Sequence, residues 1–284
     1  MSIDKLQNKI RKAKNPSVLL FSFDGAKVPP AYQTEDSVCG YVDYASALLA
    51  ALQGVVPAVR FDFSTFAVAG VAGLEGLLKL LQTAMKLDYY VLMDAPAISA
   101  PGSANVMAEQ LFEHWQFDGL LINSYIGSEG VKPFVECIEK GECDLFLLMR
   151  SGNKSASELQ DLLTGTRLVY TVVADMAKRL GENITARCGY SRIAGVGPAT
   201  SADTLQQLRS KYPGMFLLID GYDYSGANAK NCSMAFDKFG HGAVACAGDS
   251  VVLAWQETSG DPVELAVQAA ERMKKNLVRY LDIL

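Results

Sequence analysis

The stretch YYVLMDAPAISAPGSANVMAEQLFEHWQFDGLLIN, residues 89–123, contains one complete strand–helix–strand unit. Its two ends, YYVLM and GLLIN, are short, continuous apolar runs, which are typical of strands that are buried on both faces and paired in parallel. Between them, apolar residues recur at three- and four-residue intervals over residues 103–115, which predicts a helix. The stretch therefore predicts a parallel sheet whose strands are connected by helices.

The same alternation extends along the rest of the chain. Strands are predicted at 17–23, 56–63, 89–93, 119–123, 145–149, 192–197, 215–219 and 242–247. Helices are predicted near 40–53, 70–87, 103–115, 127–140, 166–180, 200–211, 228–237 and 262–279. Eight strand-then-helix units in this length favour an α/β fold of the closed (β/α)8 TIM barrel type over an open sheet. Ile3, Leu6 and Ile10 predict an additional amphipathic helix before the first strand.

The composition of the 284 residues indicates a folded protein with a large core: 50% are hydrophobic and 20% are charged. No Pro/Gly/Ser-rich linker divides the chain, so we expect a single domain over residues 1–284. The net charge of -5 gives no electrostatic footprint for nucleic acid or a membrane surface, and we expect neither as a partner. The six cysteines are scattered without metal-ligand spacing, which argues against a zinc site and is typical of a cytoplasmic protein with reduced thiols.

Polar and charged residues follow most of the predicted strands, at the end of a barrel where catalytic groups lie. The positions selected in this way are Asp24, Arg60, Asp62, Asp94, Asn123, Tyr125, Arg150, Ser151, Gly152, Asn153, Asp220, Gly221, Tyr222, Asp223, Tyr224, Ser225, Gly226, Gly248 and Asp249. For each single aspartate, helix capping or turn formation is an equally good explanation. The first of these turns, FDGAK, has one glycine where a dinucleotide-binding turn needs three.

Six segments of the chain are similar in sequence to segments of one enzyme family and occur in the same order. They are SIDKLQNKIRKAKNPSVL near the N-terminus, PAVR at 57–60, NSYIGSEGVKPF at 123–134, RSGNKSASELQDL at 150–162, CGYSRIAGVGPAT at 188–200 and IDGYDYSGANA at 219–229. From about residue 2 to residue 255 the sequence resembles the orotidine 5'-phosphate decarboxylases, particularly their longer bacterial subgroup. The resemblance implies a TIM barrel, a nucleotide ligand and a homodimer.

The resemblance also implies a catalytic array of alternating Lys and Asp residues. One Lys of the pattern D-x-K-x-x-D, after the third strand, donates a proton to the carbon that loses carbon dioxide, and its ammonium stabilises the developing negative charge. The second Asp of the pattern reaches the site of the partner subunit. No cofactor is implied.

The catalytic positions are largely substituted in this chain. Asp24 stands where the family's ribose-binding Asp lies, Arg60 where the first Lys lies, and Asp94 where the first Asp of the pattern lies. Pro96 occupies the position of the proton-donating Lys, and Ser99 that of the second Asp. A missing general acid alone commonly lowers the rate by about 10²–10⁴-fold. Asp94 is therefore predicted to be a remnant, or else the partner of Arg60 in a structural bridge.

The phosphate-binding positions are altered as well. The resemblance places Ser225 where the family has Gln, and Asp249 at or next to the phosphate-binding Arg. Six aspartates (24, 62, 94, 220, 223 and 249) against Arg60 and Arg150 give the predicted mouth a formal charge of -4, which disfavours an anionic nucleotide. The other substrate-binding positions implied are Asn123, Ser151, Asn153, Gly221 and Tyr222.

Four functional hypotheses follow. The first is a catalytically impaired paralogue with a binding or regulatory role linked to pyrimidine nucleotide metabolism. The second is an active decarboxylase with an atypical proton donor. The third is a different barrel enzyme whose acidic mouth binds a cation or metal, with Asp24, Asp94 and Asp220 as candidate ligands. The fourth is a subunit that pairs with an intact homologue.

Overall fold

Eight parallel strands close into a barrel in the computed structural model, which describes residues 2–281. The strands are Ser17–Phe21 (β1), Ala58–Asp62 (β2), Tyr90–Asp94 (β3), Gly119–Ile122 (β4), Asp144–Leu148 (β5), Ser191–Pro198 (β6), Met215–Asp220 (β7) and Ala243–Ala247 (β8). The barrel closes at β1, where Leu19 lies opposite Val59 of β2 on one side and Ala247 of β8 on the other. The predicted (β/α)8 TIM barrel is thereby confirmed.

Helices surround the barrel. They are Ser37–Ala51 (α2), Phe63–Ala67 (α3), Gly70–Lys86 (α4), Pro101–His114 (α5), Ser128–Lys140 (α6), Val169–Leu180 (α7), Ala202–Lys211 (α8), Ala229–Ser233 (α9), Asp249–Val252 (α10), Ala254–Glu257 (α11) and Pro262–Val278 (α12), after Ser2–Ala13 (α1) at the N-terminus. The helix predicted at 228–237 was too long, because the chain leaves helical geometry after Ser233. The helix predicted at 103–115 begins earlier, at Pro101, whose fixed φ suits the first helical position.

The α1 helix covers the N-terminal end of the barrel. Ile3, Leu6 and Ile10 are fully buried against apolar side chains of the barrel interior, which confirms the predicted amphipathic helix. Lys5 Nζ donates to Asp118 Oδ2 at 2.7 Å, and the Gln7 side chain accepts from the backbone N–H of Gly242. These contacts hold α1 against the barrel and leave the carboxyl ends of the strands at the opposite end.

Two further features concern the chain as a whole, namely its domain organisation and its lack of a membrane-spanning helix among residues 2–281. The single domain predicted over 1–284 includes residue 1 and residues 282–284, which lie outside the described residues. Within residues 2–281, none of the helices combines the length and the apolar character that crossing a bilayer requires.

Candidate ligand site at the carboxyl ends of the strands

Arg60 lies at the centre of the open end of the barrel and is 7% exposed. Its Nε and Nη2 donate to the two carboxylate oxygens of Asp94 at 2.7 and 2.8 Å, and its Nη1 donates to Asp220 Oδ1 at 2.6 Å. Nη1 also lies 3.7 Å from the sulfur of Cys246. The planar guanidinium therefore joins β2 to β3, β7 and β8. We call Arg60, Asp94 and Asp220 together the Arg60 cluster.

The electrostatics of the Arg60 cluster keep the guanidinium charged. Burial disfavours that charge, but Asp94 and Asp220 outweigh burial and hold the pKa of Arg60 well above its usual range. Burial raises the pKa of the Asp94 carboxyl, although the guanidinium and its hydrogen bonds oppose that shift. Burial also raises the pKa of Cys246 to about 12, so its thiol keeps its proton at neutral pH.

A cavity of about 440 Å³, the mouth cavity, opens above the Arg60 cluster. Its charged lining residues are Lys27, Arg60, Asp62, Asp94, Asp220, Asp223 and Asp249. Five aspartates against one lysine and one arginine leave a formal charge of -3. The sequence-based value of -4 was wrong because it omitted Lys27 and counted Asp24 and Arg150, neither of which lines the cavity.

The position expected to hold a phosphate-binding Arg is occupied by an ion pair. Asp249, at the start of α10, accepts from Lys27 Nζ at 2.7 Å. Nearby, Asp223 Oδ2 accepts from the backbone N–H of Gly248 at 2.6 Å. The ammonium of Lys27, which lines the mouth cavity, is thus already neutralised by an aspartate.

Several predicted site residues cap short helical turns. Asp24 accepts from the backbone N–H of Ala26 at 2.9 Å, and Asp62 accepts from that of Ser64 at 3.1 Å. Asn123 accepts in the same way from Tyr125. The local explanation considered for single aspartates therefore applies to Asp24 and Asp62, although Asp62 also lines the mouth cavity.

The loop after β5 is folded onto itself. Arg150 donates from Nε and Nη2 to the two oxygens of Asp161 at 2.7 and 2.8 Å. The backbone N–H of Ser151 donates to Gln160 Oε1 at 2.8 Å, and the Ser151 hydroxyl donates to Asn153 Oδ1 at 2.6 Å. Ser151 and Asn153, both predicted to bind substrate, therefore make hydrogen bonds within their own loop.

The substituted catalytic positions lie in the extended segment between β3 and α5. Pro96 is partly buried and Ser99 is exposed, and neither lines the mouth cavity. In the loop after β7, Gly221 lines the cavity, whereas Tyr222 and Ser225 do not. Of the positions that the sequence analysis selected by function or by charge, the cavity lining contains Arg60, Asp62, Asp94, Asp220, Gly221, Asp223 and Asp249, and it does not contain Asp24, Pro96, Ser99, Asn123, Ser151, Asn153, Tyr222 or Ser225.

Tyr224 lies in the strand-end segment 220–226 that the sequence analysis selected, but no role was predicted for it, and the structure places it in the lining of the mouth cavity. Its ring packs against the backbone of Gly152 and Gly221, where an added Cβ would lie 2.9 and 2.5 Å from Tyr224 Cδ2. Gly221 also has a φ of +80°, a conformation that favours glycine. The sequence GYDYSG shows an aromatic turn, but it does not reveal the contact with Gly152 on another loop.

The metal-binding hypothesis gains no support from this geometry. Asp94 and Asp220 share the Arg60 guanidinium between them, and Asp24 lies outside the cavity lining. Across residues 2–281 there is no group of three or more His, Cys, Asp or Glu side chains that could hold a metal ion.

Comparison with known proteins places the chain among relatives of one name. No family model matches it. It is 28% identical over 291 residues to orotidine 5'-phosphate decarboxylase from Clostridium acetobutylicum, covering 99% of this chain and 100% of that protein. It is 26% identical over 262 residues to the protein of that name from Petrotoga mobilis, covering 90% of each.

Solved structures share the fold. Orotidine 5'-monophosphate decarboxylase from Plasmodium berghei matches with a TM-score of 0.79 and 13% identity, covering 99% of each chain. OMP decarboxylase from Leishmania donovani matches with a TM-score of 0.75 and 20% identity, covering 98% of this chain and 99% of that one. The chain thus has homologues named orotidine 5'-phosphate decarboxylase over most of its length, as the sequence resemblance predicted, and it shares its barrel fold with solved decarboxylases.

Proposed function

We propose that this chain is a catalytically impaired paralogue of orotidine 5'-phosphate decarboxylase, with a binding or regulatory role linked to pyrimidine nucleotide metabolism. The observation that carries the proposal is the Arg60 cluster: the buried guanidinium in the mouth cavity is bound by two carboxylates. The names of the relatives suggest a nucleotide as the ligand, and the mouth cavity is large enough for a small molecule.

The decarboxylation needs a proton for the carbon that loses carbon dioxide, and the mouth cavity is poorly equipped to give one. Pro96 has no side-chain proton to donate. Arg60 stays protonated at any relevant pH, so it cannot act as a general acid. The Cys246 thiol, with its pKa raised to about 12 by burial, is also a weak acid compared with a donor matched to neutral pH.

The charge of the cavity argues in the same direction. Orotidine 5'-phosphate carries a phosphate and a carboxylate, and both would enter a cavity with a formal charge of -3. Arg60 could compensate only by leaving Asp94 and Asp220, which would leave two partly buried carboxylates without their cation. Ordinary turnover is therefore expected to be absent.

The test combines binding and turnover on one sample. We would titrate the protein calorimetrically with uridine 5'-monophosphate and with orotidine 5'-monophosphate, and assay loss of the latter. The Clostridium acetobutylicum relative is the positive control for the assay. Turnover that approaches the control would overturn the proposal. Absence of turnover supports impairment, and measurable binding of either nucleotide supports a nucleotide-linked role.

We also propose that the chain forms a homodimer, as its resemblance implies. The absence of a linker in the sequence supports a single domain, and the scattered cysteines support a cytoplasmic location. Sedimentation velocity tests the dimer, and a single unfolding transition followed by two spectroscopic probes tests the domain. If the chain pairs instead with an intact homologue, Ser99 cannot replace the Asp that the family donates to the partner's site. Such a mixed dimer would then show reduced turnover per intact site.

A further inference from the structure

Tyr224 forms an aromatic wall of the mouth cavity. Gly152, after β5, and Gly221, after β7, both lack the Cβ that would collide with the ring, so two loops hold the ring from behind. The residue is still 48% exposed and lines the cavity. A fixed, half-exposed aromatic ring at a cavity wall is suited to stack against a planar ring of a ligand.

The remaining polar groups of the cavity are mainly hydrogen-bond acceptors. Asp220 uses Oδ1 for Arg60, Asp223 uses Oδ2 for the backbone N–H of Gly248, and Asp249 uses Oδ1 for Lys27. In the part of the chain that the structure describes, the second oxygen of each carboxylate has no protein donor. Hydroxyl and amino groups are the ligand groups that such oxygens accept from.

A phosphate is poorly matched to the same cavity. Its two cations, Lys27 and Arg60, are already bound by Asp249 and by Asp94 and Asp220. A ligand phosphate would have to break one of these ion pairs or remain beside unpaired carboxylates, and like charges placed together oppose binding.

We propose that Tyr224 is the stacking residue that determines specificity in the mouth cavity, and that the cavity takes a ligand with a planar ring and hydroxyl or amino donors but no phosphate. A nucleoside has this chemistry. The inference rests on the proposed function, because both concern the same cavity, but it specifies the ligand class and the residue that selects it.

The experiment uses uridine, cytidine, adenosine and guanosine, their 5'-monophosphates, and free ribose as calorimetric probes of the full chain. We expect at least one nucleoside to bind, its own 5'-monophosphate to bind roughly tenfold more weakly or worse, and ribose to give no heat. Tyr224→Leu should weaken the nucleoside by roughly tenfold or more, whereas Tyr224→Phe, which keeps the ring, should stay within about threefold.

Tyr280→Leu is the matched control, because Tyr280 is 47% exposed and does not line the cavity, and it should bind like the wild type. Monophosphates that bind as tightly as their nucleosides would overturn the inference, as would an unchanged affinity in Tyr224→Leu or silence with all four nucleosides. None of these results requires turnover of orotidine 5'-monophosphate, which is the separate result that would overturn the proposed function. The comparison of ribose with nucleosides on the wild type tests ring stacking even if the leucine variant does not fold.

Discussion

Arg60 and Asp94 form a bidentate ion pair across the neighbouring strands β2 and β3, with N–O distances of 2.7 and 2.8 Å. The residues around Asp94 in the sequence suggested an isolated carboxylate. In the structure, however, the guanidinium of Arg60 binds it. Of the two sequence-based explanations, the structural bridge matches the geometry, and Asp220 adds a third strand, β7, to it.

Removal of Arg60 should strongly destabilise the fold. Arg60→Met leaves Asp94 and Asp220 partly buried and close together without a cation, a change that typically lowers the free energy of unfolding by about 3–5 kcal/mol. Urea unfolding measures the loss. Neutralising all three groups in Arg60→Met/Asp94→Asn/Asp220→Asn should recover a large part of it, because no unpaired charge then remains.

The Arg150–Asp161 pair is the control for the Arg60–Asp94 pair, because it has the same bidentate geometry but lies in a more exposed loop. Arg150→Met should lower the free energy of unfolding by only about 1 kcal/mol. An Arg60→Met variant that is no less stable than Arg150→Met would show that the Arg60 cluster is not a structural bridge.

Release of Lys27 from Asp249 should improve phosphate binding. Asp249→Asn removes one negative charge from the mouth cavity and frees the ammonium, so we expect the affinity for uridine 5'-monophosphate to rise by roughly tenfold at low salt. Calorimetry at two ionic strengths measures the change. Asp62→Asn makes the same charge change without releasing Lys27. Equal gains in the two variants would assign the effect to net charge alone.

Stability at acid pH should depend on Asp161. Its hydrogen bonds with Arg150 lower its pKa in the folded state, so the folded protein binds this proton less readily than the unfolded chain does. The stabilisation is complete above the ordinary Asp value of about 4 and is lost as the pH falls through the lowered value.

The difference in thermal midpoint between wild type and Asp161→Asn should therefore be constant above about pH 5 and shrink below about pH 4. Glu158→Gln, which removes an exposed carboxylate from the same loop, should not show this pattern of stability. A difference between wild type and Asp161→Asn that does not change with pH would contradict the assignment.

The α1 helix should contribute strongly to barrel stability. Leu6→Ala removes a fully buried side chain from the N-terminal end of the barrel interior, and such changes typically cost about 2–5 kcal/mol. Urea unfolding again provides the measurement. Lys12→Ala, on the exposed face of the same helix, should change the free energy of unfolding by less than about 0.5 kcal/mol. Equal losses would mean that α1 is not packed as described.

The barrel could be predicted from the sequence because its strands are buried on both faces. Continuous apolar runs such as YYVLM and MFLLI mark them within a few residues of their observed ends. The helices α3, α10 and α11 have five, four and four residues. They were missed because a helix of about one turn is too short to show a periodic pattern of apolar residues. The short hairpin formed by Leu163–Thr164 and Arg167–Leu168 was also missed: the helix predicted at 166–180 included Arg167 and Leu168, but that helix begins only at Val169.

The location of the candidate site was predictable, and so was the Arg60–Asp94 pair as one of two explanations, but the pairings of Asp220 and Lys27 were not. Strand ends identified Arg60, Asp94 and Asp249, because a parallel barrel gathers them at one edge. Asp220 binds Arg60 from 160 positions away, and Lys27 binds Asp249 from 222 positions away. Such contacts depend on side-chain rotamers and on the closure of the barrel, neither of which leaves a local pattern in the sequence.

The Arg60 cluster also limits the order in which substitutions can accumulate during evolution. A lysine at position 96 alone would not free Arg60 from its two carboxylates, and loss of Arg60 alone would leave those carboxylates unpaired. A lysine at position 96 would thus add a proton donor while Arg60 stayed bound to both carboxylates, and loss of Arg60 would lower stability, so neither single step restores an alternating Lys–Asp array. A lineage that has acquired the Arg60 cluster therefore cannot easily return to an alternating Lys–Asp array by substituting one residue at a time.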